Sequence, residues 1–422
     1  MQKFQHIFKF FGWRLALAGA SIHAIHSGLF MQAFGSYSVL LQREFGWTAT
    51  TLSIAFAFTR MESGLLGPIQ GWLLDRFGPR PIMMIGTTIF AVGFFLFATM
   101  DTLTEFFIFY FLMALGSSLG GFLSITTAIV NWFNKYRSSA LAISQGGFAA
   151  GALFLPALVF VLENYGWREA SVGSGIIILV VGLPVSNMMR HRPSEPGEFV
   201  DGIKPEIDPS EEQFFIQKST QSNDFSVKQA LKTRAFWMIS AGHAASLLVV
   251  GSIMLHLPLH LTSPAIGMSL QKASFIVGAV PAMQIFGQFL GGYLGDRYDK
   301  KLILILCMIG HMLGLLLVTY PYFSIMIWIF VPMHGIAWGA RGPIIQSIRA
   351  DYFGPTNFGT IMGFSSMIVM IGMVLGPLVA GILADYTGSY TLGFTILAIA
   401  AGMGSVFFLL ATPPKKQPLA LV

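Results

Sequence analysis

Gly71-Trp72-Leu73-Leu74-Asp75-Arg76 recurs 221 residues further on as Gly292-Tyr293-Leu294-Gly295-Asp296-Arg297. Each copy closes a long apolar run and precedes a short basic turn. A second pair of landmarks, Trp132-Phe133 and Tyr352-Phe353, keeps nearly the same offset, 220. Two weakly similar halves, each rich in apolar runs, are the mark of a membrane carrier built from repeats, with its site at the midplane between them.

Composition agrees with that reading. The chain has 422 residues, 54% of them hydrophobic and 10% charged, with a mean hydropathy of +0.69. An average soluble domain is about 25% charged, so the solvated surface of a soluble enzyme, a nucleic-acid binder or a disordered chain is missing. Apolar runs near the ~20 residues that cross a bilayer fall at 15–42, 50–75, 81–100, 103–131, 138–163 and 168–189. Six more fall at 235–262, 270–296, 301–320, 322–350, 357–385 and 390–412. The expected fold is an all-α membrane protein of twelve transmembrane helices in two pseudo-symmetric six-helix bundles. Residues 1–189 form the first bundle and 234–422 the second, joined by a cytoplasmic linker, 190–233, that holds fourteen charged residues.

The formal charge of +6 is a topology signal. With both termini and the linker on one side, that side collects 20 of the 25 Lys and Arg residues, Arg349 among them, against Arg43, Arg168 and Lys272 opposite. The positive-inside rule then makes both termini cytoplasmic, in the inner (plasma) membrane. The basic N-terminus, with Lys3, Lys9 and Arg14, leads into a run too long for a cleaved signal peptide, so it is read as a retained first span. The one cysteine, Cys307, excludes a disulfide framework.

The stretch from Gly71 to Arg80, with Leu73, Asp75, Arg76 and Gly78 between, resembles the signature loop of the major facilitator superfamily, and Gly292 to Lys301 resembles its second copy. In that loop, glycines let two spans approach, while an aspartate and basic residues can form a bridge that holds one conformation closed. Phe11-Gly12-Trp13, Phe45-Gly46-Trp47, Arg192-Pro193-Ser194-Glu195-Pro196-Gly197 with Asp201-Gly202, and Arg234-Ala235-Phe236-Trp237 are similar to the bacterial branch grouped with monocarboxylate transporters and oxalate/formate antiporters. The resemblance implies a secondary transporter with a central cavity that opens alternately to each side. Carboxylate carriers of that branch often place an arginine in span eight. Here span eight, from Ala273 to Tyr293, has no basic residue and span eleven has no lysine, so ligands cannot be carried over by position.

The candidate site residues come instead from charge at membrane depth, which is costly and functional by default. Arg60 lies about 22 Å before Asp75 along a helix, and Arg341 about 15 Å before Asp351, both near mid-depth. Arg341 has Gly121 as its repeat counterpart, so it breaks the internal symmetry. The guanidinium fork suits a carboxylate. Glu62 lies two residues after Arg60, on a different face of the helix. A structural ion pair of Glu62 with either arginine competes with the ligand reading. His23, His26, His243 and His334 lie in spans that line the cavity of the resembled fold. His256 and His260 have i,i+4 spacing but no acidic companion to make a metal site. The glycines and Pro377 of span eleven are read as close packing.

The expected function is secondary active transport of a small organic anion, a monocarboxylate above all, by proton symport or anion exchange. Export of a neutral or amphipathic compound and a non-transporting membrane sensor stand as alternatives; no nucleophile or metal constellation suggests an enzyme. Arg341, Arg60, His26, His243 and His334 are the substrate-binding candidates. Glu62 and His23 are the proton-coupling candidates, and Asp75, Arg76, Arg80, Asp296 and Arg297 the gating ones. The expected partners are the anion, protons and the lipid bilayer, with no cofactor, no metal and no nucleic acid, for a chain acting as a monomer.

Overall fold

The computed structural model describes residues 10–194, 197–204 and 224–415. Lys3, Lys9, most of the acidic stretch of the linker and the side chain of Arg60 lie outside the described residues. The described helices fall into twelve spans. In the first half, α1 runs Phe11–His26, a π-turn Ser27–Met31 and Phe34–Phe45, and α2 runs Ala49–Leu65 and Gly67–Phe77. They are followed by α3 (Pro79–Phe97), α4 (Leu103–Gly120 and Phe122–Trp132), α5 (Arg137–Ala152 and Leu155–Tyr165) and α6 (Trp167–Ile177, a π-turn Ile178–Gly182 and Leu183–Met188). The second half holds α7 (Arg234–Thr262), α8 (Leu270–Gly295), α9 (Lys300–Thr319), α10 (Ser324–Phe353), α11 (Phe358–Thr387) and α12 (Thr391–Leu410). This is the all-α, twelve-span architecture expected from the repeats.

Among the described residues, nine helices are long and apolar enough to cross a membrane by composition. The spans outside that set are α1, α2 and α10. Interruption does not set the first two apart, since α4, α5 and α6 are also broken; α2 carries Arg60, Glu62, Asp75 and Arg76, and α10 carries Arg341 and Arg349.

Two compact units result, one comprising residues 1–224 with 355–363, the other 225–354 with 364–422. The start of α11 therefore packs with the first unit. Each unit closes one helix pair through small residues. In the first, a Cβ on Gly147 would overlap the Ala20 carbonyl oxygen, and one on Gly151 the Ala24 carbonyl oxygen, so α5 lies backbone to backbone on α1. In the second, Gly372 and Gly376 seat α11 in the same way on the carbonyls of Ala244 and Leu248 of α7. Such contacts are how helices associate where no hydrophobic force separates them from lipid.

Aromatic residues hold one end of each unit, near the start of α1 and the end of α10. In the first unit Phe10 and Trp13 pack on Phe133, with ring centroids 5.4 and 4.8 Å apart. In the second, Phe225 meets Phe353 edge-on at 5.8 Å and its N–H donates to the Phe353 carbonyl. The described parts of the linker are tied down by carboxylates. Glu198 accepts from the N–H of Phe11 at the start of α1. Asp201 accepts from the N–H groups of Asn134, Lys135 and Tyr136, in the turn before α5. Asp224 accepts from the N–H of Thr356, before α11, and from its hydroxyl.

Candidate transport site

In the first unit the polar interior is a neutral hydrogen-bond network around one carboxyl group. Glu62 on α2 is 4% exposed and accepts from the Ser63 hydroxyl at 3.0 Å and from Gln70 Nε2 at 3.2 Å. Gln70 also donates to the Ser118 hydroxyl of α4 at 2.8 Å. His26 on α1 meets the Ser117 hydroxyl through Nδ1 at 3.1 Å. His23 donates Nδ1–H to the Ser144 carbonyl of α5 at 2.9 Å and stacks on Phe148; its Nε2 is buried without a partner among the described residues. Arg60 lies on α2, but its side chain is outside the described residues.

The second unit is built around two buried arginines on α10. Arg349 corrects the sequence reading, which counted it with the cytoplasmic loops. It is 2% exposed, four residues inside the end of α10. Its Nη1 donates to Gln346 Oε1 at 3.0 Å, and its Nη2 to the Ser365 hydroxyl of α11 at 2.7 Å and to Nδ1 of His243 on α7 at 3.1 Å. An arginine has only donors, so His243 Nδ1 must be the acceptor. Arg349 thereby ties α7, α10 and α11 together.

Arg341 is different. It is as deeply buried, at 2% exposed, yet its Nε and Nη1 have no hydrogen-bond partner among the described residues. Its charge acts on His243, His311, His334, Arg349 and Cys307, which places it amid three helices. A buried guanidinium with open donors is costly unless something anionic completes it. His334 lies two helical turns before Arg341 on the same face of α10. Its Nδ1 is 3.1 Å from Nδ1 of His311 on α9, a residue that sequence reasoning did not single out. His256 and His260 instead donate Nε2–H to the carbonyls of Pro377 and Val318.

The residues of the repeated motif separate into two kinds. Asp75, at the end of α2, accepts from the N–H groups of Gly359 and Thr360 at 2.9 and 2.7 Å and from the Thr360 hydroxyl at 2.6 Å. It therefore holds the open N–H groups at the start of α11, which a carboxylate suits by charge and by hydrogen bonding. This differs from the bridge to a basic side chain expected of the motif. Gly71 makes the approach possible, because a Cβ there would overlap the Gly359 backbone. Arg76 lies over Trp72 and Phe77, and Arg297 over Tyr293, whose carbonyl also accepts from it. Arg80 donates to Asn187 Oδ1 at the end of α6. Asp296 ends α8, partly buried.

Twelve spans in two repeat-related halves, with buried arginine and histidine in the membrane interior, define a secondary transporter rather than an enzyme. The sequence matches the profile of the Major Facilitator Superfamily over residues 20–283 and 240–421, and the chain belongs to that family. It is similar to a benzoate transport protein of Acinetobacter baylyi, 24% identical, covering 97% of this chain and 91% of that one. It is also similar to monocarboxylate transporter 13 of Bos taurus, 23% identical, over 96% and 92% of the two chains. These relatives put it in the monocarboxylate-transporter-like branch that its motifs resemble. The structure of the proton:xylose symporter XylE shares the fold, with a TM-score of 0.73 at 13% identity over 96% of this chain and 95% of that one.

Proposed function

We propose that the protein is a secondary active carrier of a small organic anion, a monocarboxylate of the benzoate kind, with Arg341 as the principal anion ligand. The observation that carries this reading is the buried guanidinium whose Nε and Nη1 lack partners. Nε–H and Nη1–H point to different sides of the planar guanidinium, and each is an open, charge-assisted donor that a carboxylate oxygen can complete. The names of the relatives support the choice of an organic acid.

His243 is held by Arg349 and sits within reach of Arg341's field, so it serves as a polar wall of the same site. His26 and Arg60, in the first half, are further candidate substrate ligands. Glu62 and His23 remain candidates for proton traffic in the first half, Glu62 because its network of Ser63 and Gln70 can stabilise either charge state. Asp75, Arg76, Arg80, Asp296 and Arg297 form the cytoplasmic gate, with Asp75 acting through the start of α11. Both termini face the cytoplasm, and the protein resides in the plasma membrane. Alternating access then exposes Arg341 to one side at a time.

The test is counterflow of labelled benzoate in proteoliposomes, corrected for leak in protein-free vesicles. Exchange by wild type that is lost in Arg341→Gln supports the proposal. Exchange by both at equal rates refutes the ligand assignment, and no exchange by wild type with benzoate or other short carboxylates refutes the substrate class.

A further inference from the structure

The paired histidines between α9 and α10 have a role of their own beside the anion contact proposed for Arg341. His311 and His334 are both 0% exposed, and their Nδ1 atoms face each other at 3.1 Å. Both Nε2 atoms are buried without partners among the described residues. In a neutral pair only one Nδ1 carries the shared proton. The imidazole that donates it has a bare Nε2, and the one that accepts it carries Nε2–H. The pair can therefore take exactly one more proton, at the bare Nε2, and afterwards holds it as an imidazolium hydrogen-bonded to a neutral imidazole through N–H and N. Release reverses the same bond.

We propose that the His311–His334 pair is a proton-binding site that loads together with the anion on Arg341. The inference rests on the transport reading above and assigns the proton to two residues of the second unit. The coupling is electrostatic. Arg341 acts on both imidazoles, so an added proton creates a second positive charge beside the first. A carboxylate on Arg341 offsets that repulsion, and the proton in turn strengthens the hold on the carboxylate. The other ionisable groups on the packed elements are Lys300, Lys301 and Cys307 on α9, Arg234, His243, His256 and His260 on α7, Arg349, Asp351 and Tyr352 on α10, and Lys272 and Tyr293 near the two ends of α8; α12 has none. Helices α7, α8, α9 and α12 hold no acidic side chain, and the one on α10, Asp351, sits at its far end in an ion pair with Lys300.

Two linked sites change each other's affinity by the same factor, typically about 5- to 150-fold. Calorimetric titration of the detergent-solubilised full chain with benzoate, from about pH 8 down to about pH 5, reads that factor directly. The expected result is a benzoate affinity that rises by this range on acidification in wild type. His311→Gln should keep the alkaline affinity and lose the rise, and His334→Gln should lose the rise whatever its alkaline affinity. A rise that survives in either variant, a wild-type affinity that does not change with pH, or loss of binding at all pH values in His311→Gln overturns the proposal.

If wild type binds no benzoate at any pH, the transport reading has failed, and imidazole nitrogen NMR then decides the pair on its own. Two imidazoles that titrate together, with the signature lost in either variant, support the proton site. Two imidazoles silent between about pH 5 and 8 overturn it.

Discussion

Spans α4 and α10 occupy the same place in the two repeats, yet they solve different problems. At Gly121 the first helix breaks, with φ −109° and ψ −129°, and beside the break stand the Ser117–His26 and Ser118–Gln70 contacts. At the corresponding position of α10 the helix runs unbroken through 30 residues and carries Arg341. Around the break the first half offers hydroxyls, an amide, an imidazole and a carboxyl group; the second offers two guanidinium groups and imidazoles. Repeat symmetry supplies the scaffold, seen in the matched seating of α5 on α1 and of α11 on α7. The chemistry is placed by breaking it.

The division between the halves can be broken most visibly at Arg341. Arg341→Gln removes the charge from hydrogen bonds worth about 1.5–3 kcal/mol, so benzoate affinity, read by calorimetry, should fall roughly 10- to 150-fold. In the first half, Gln70→Ala should leave affinity within about threefold of wild type, since it touches no charge on the anion. A larger loss there would erase the distinction between the chemistry of the two halves.

The contrast within α10 is tested by Arg349→Met. This arginine is satisfied by Gln346, His243 and Ser365, and its removal strands buried polar partners, at a cost of about 1–3 kcal/mol. The unfolding temperature in detergent should fall, whereas substitution of Arg341 should not lower it. Two arginines on one helix would then have opposite signatures, one structural and one functional.

The symmetric scaffold gives a pair of equal effects. Gly147→Ala and Gly372→Ala each press a methyl group into a backbone carbonyl of the facing helix. Each should destabilise by about 1–3 kcal/mol, seen as lost thermal stability of the solubilised protein. A tolerant Gly372 beside an intolerant Gly147 would show that the halves are less alike in packing than in sequence.

The smallest effect is expected at Asp75, at the end of α2. Asp75→Asn keeps an acceptor for the start of α11 but removes the charge, worth about 0.3–1 kcal/mol at a helix N-terminus. A single cysteine introduced on the opposite end of the cavity, in a chain whose only native cysteine is buried, should change its labelling rate by a few-fold at most in the Asp75→Asn background.

How much of this the residues announced depends on the kind of signal. Long apolar runs made most spans legible, and Arg341 stood out because a charge interrupts one of them near its middle. Arg349 did not, because it lies one turn from the end of α10, where a basic residue ordinarily faces the cytoplasm. Only the fold reveals that Ser365 and His243, far away in the chain, turn it inward. His311 was invisible for a related reason. A lone histidine in an apolar span reads as core, and its meaning comes from His334 across the helix interface. The break in α4 was likewise hidden, since Gly121 in a glycine-rich run looks like packing. Asp75 was legible as a motif residue, but its partner, the start of α11, is 284 residues away.

The central claim, that Arg341 is kept for an anion and not for the fold, is tested most directly by thermal unfolding of wild type and Arg341→Gln with and without benzoate. Benzoate at about 100 times its dissociation constant should stabilise wild type by about 2.7 kcal/mol and leave the variant unmoved. Without ligand, the variant should unfold at the same temperature or higher, because it no longer holds an open charge in the membrane interior, a burden of about 2.5–3.5 kcal/mol for arginine at the centre of a span. A variant that is less stable without ligand, yet still stabilised by benzoate as wild type is, would contradict the claim and make Arg341 a structural residue.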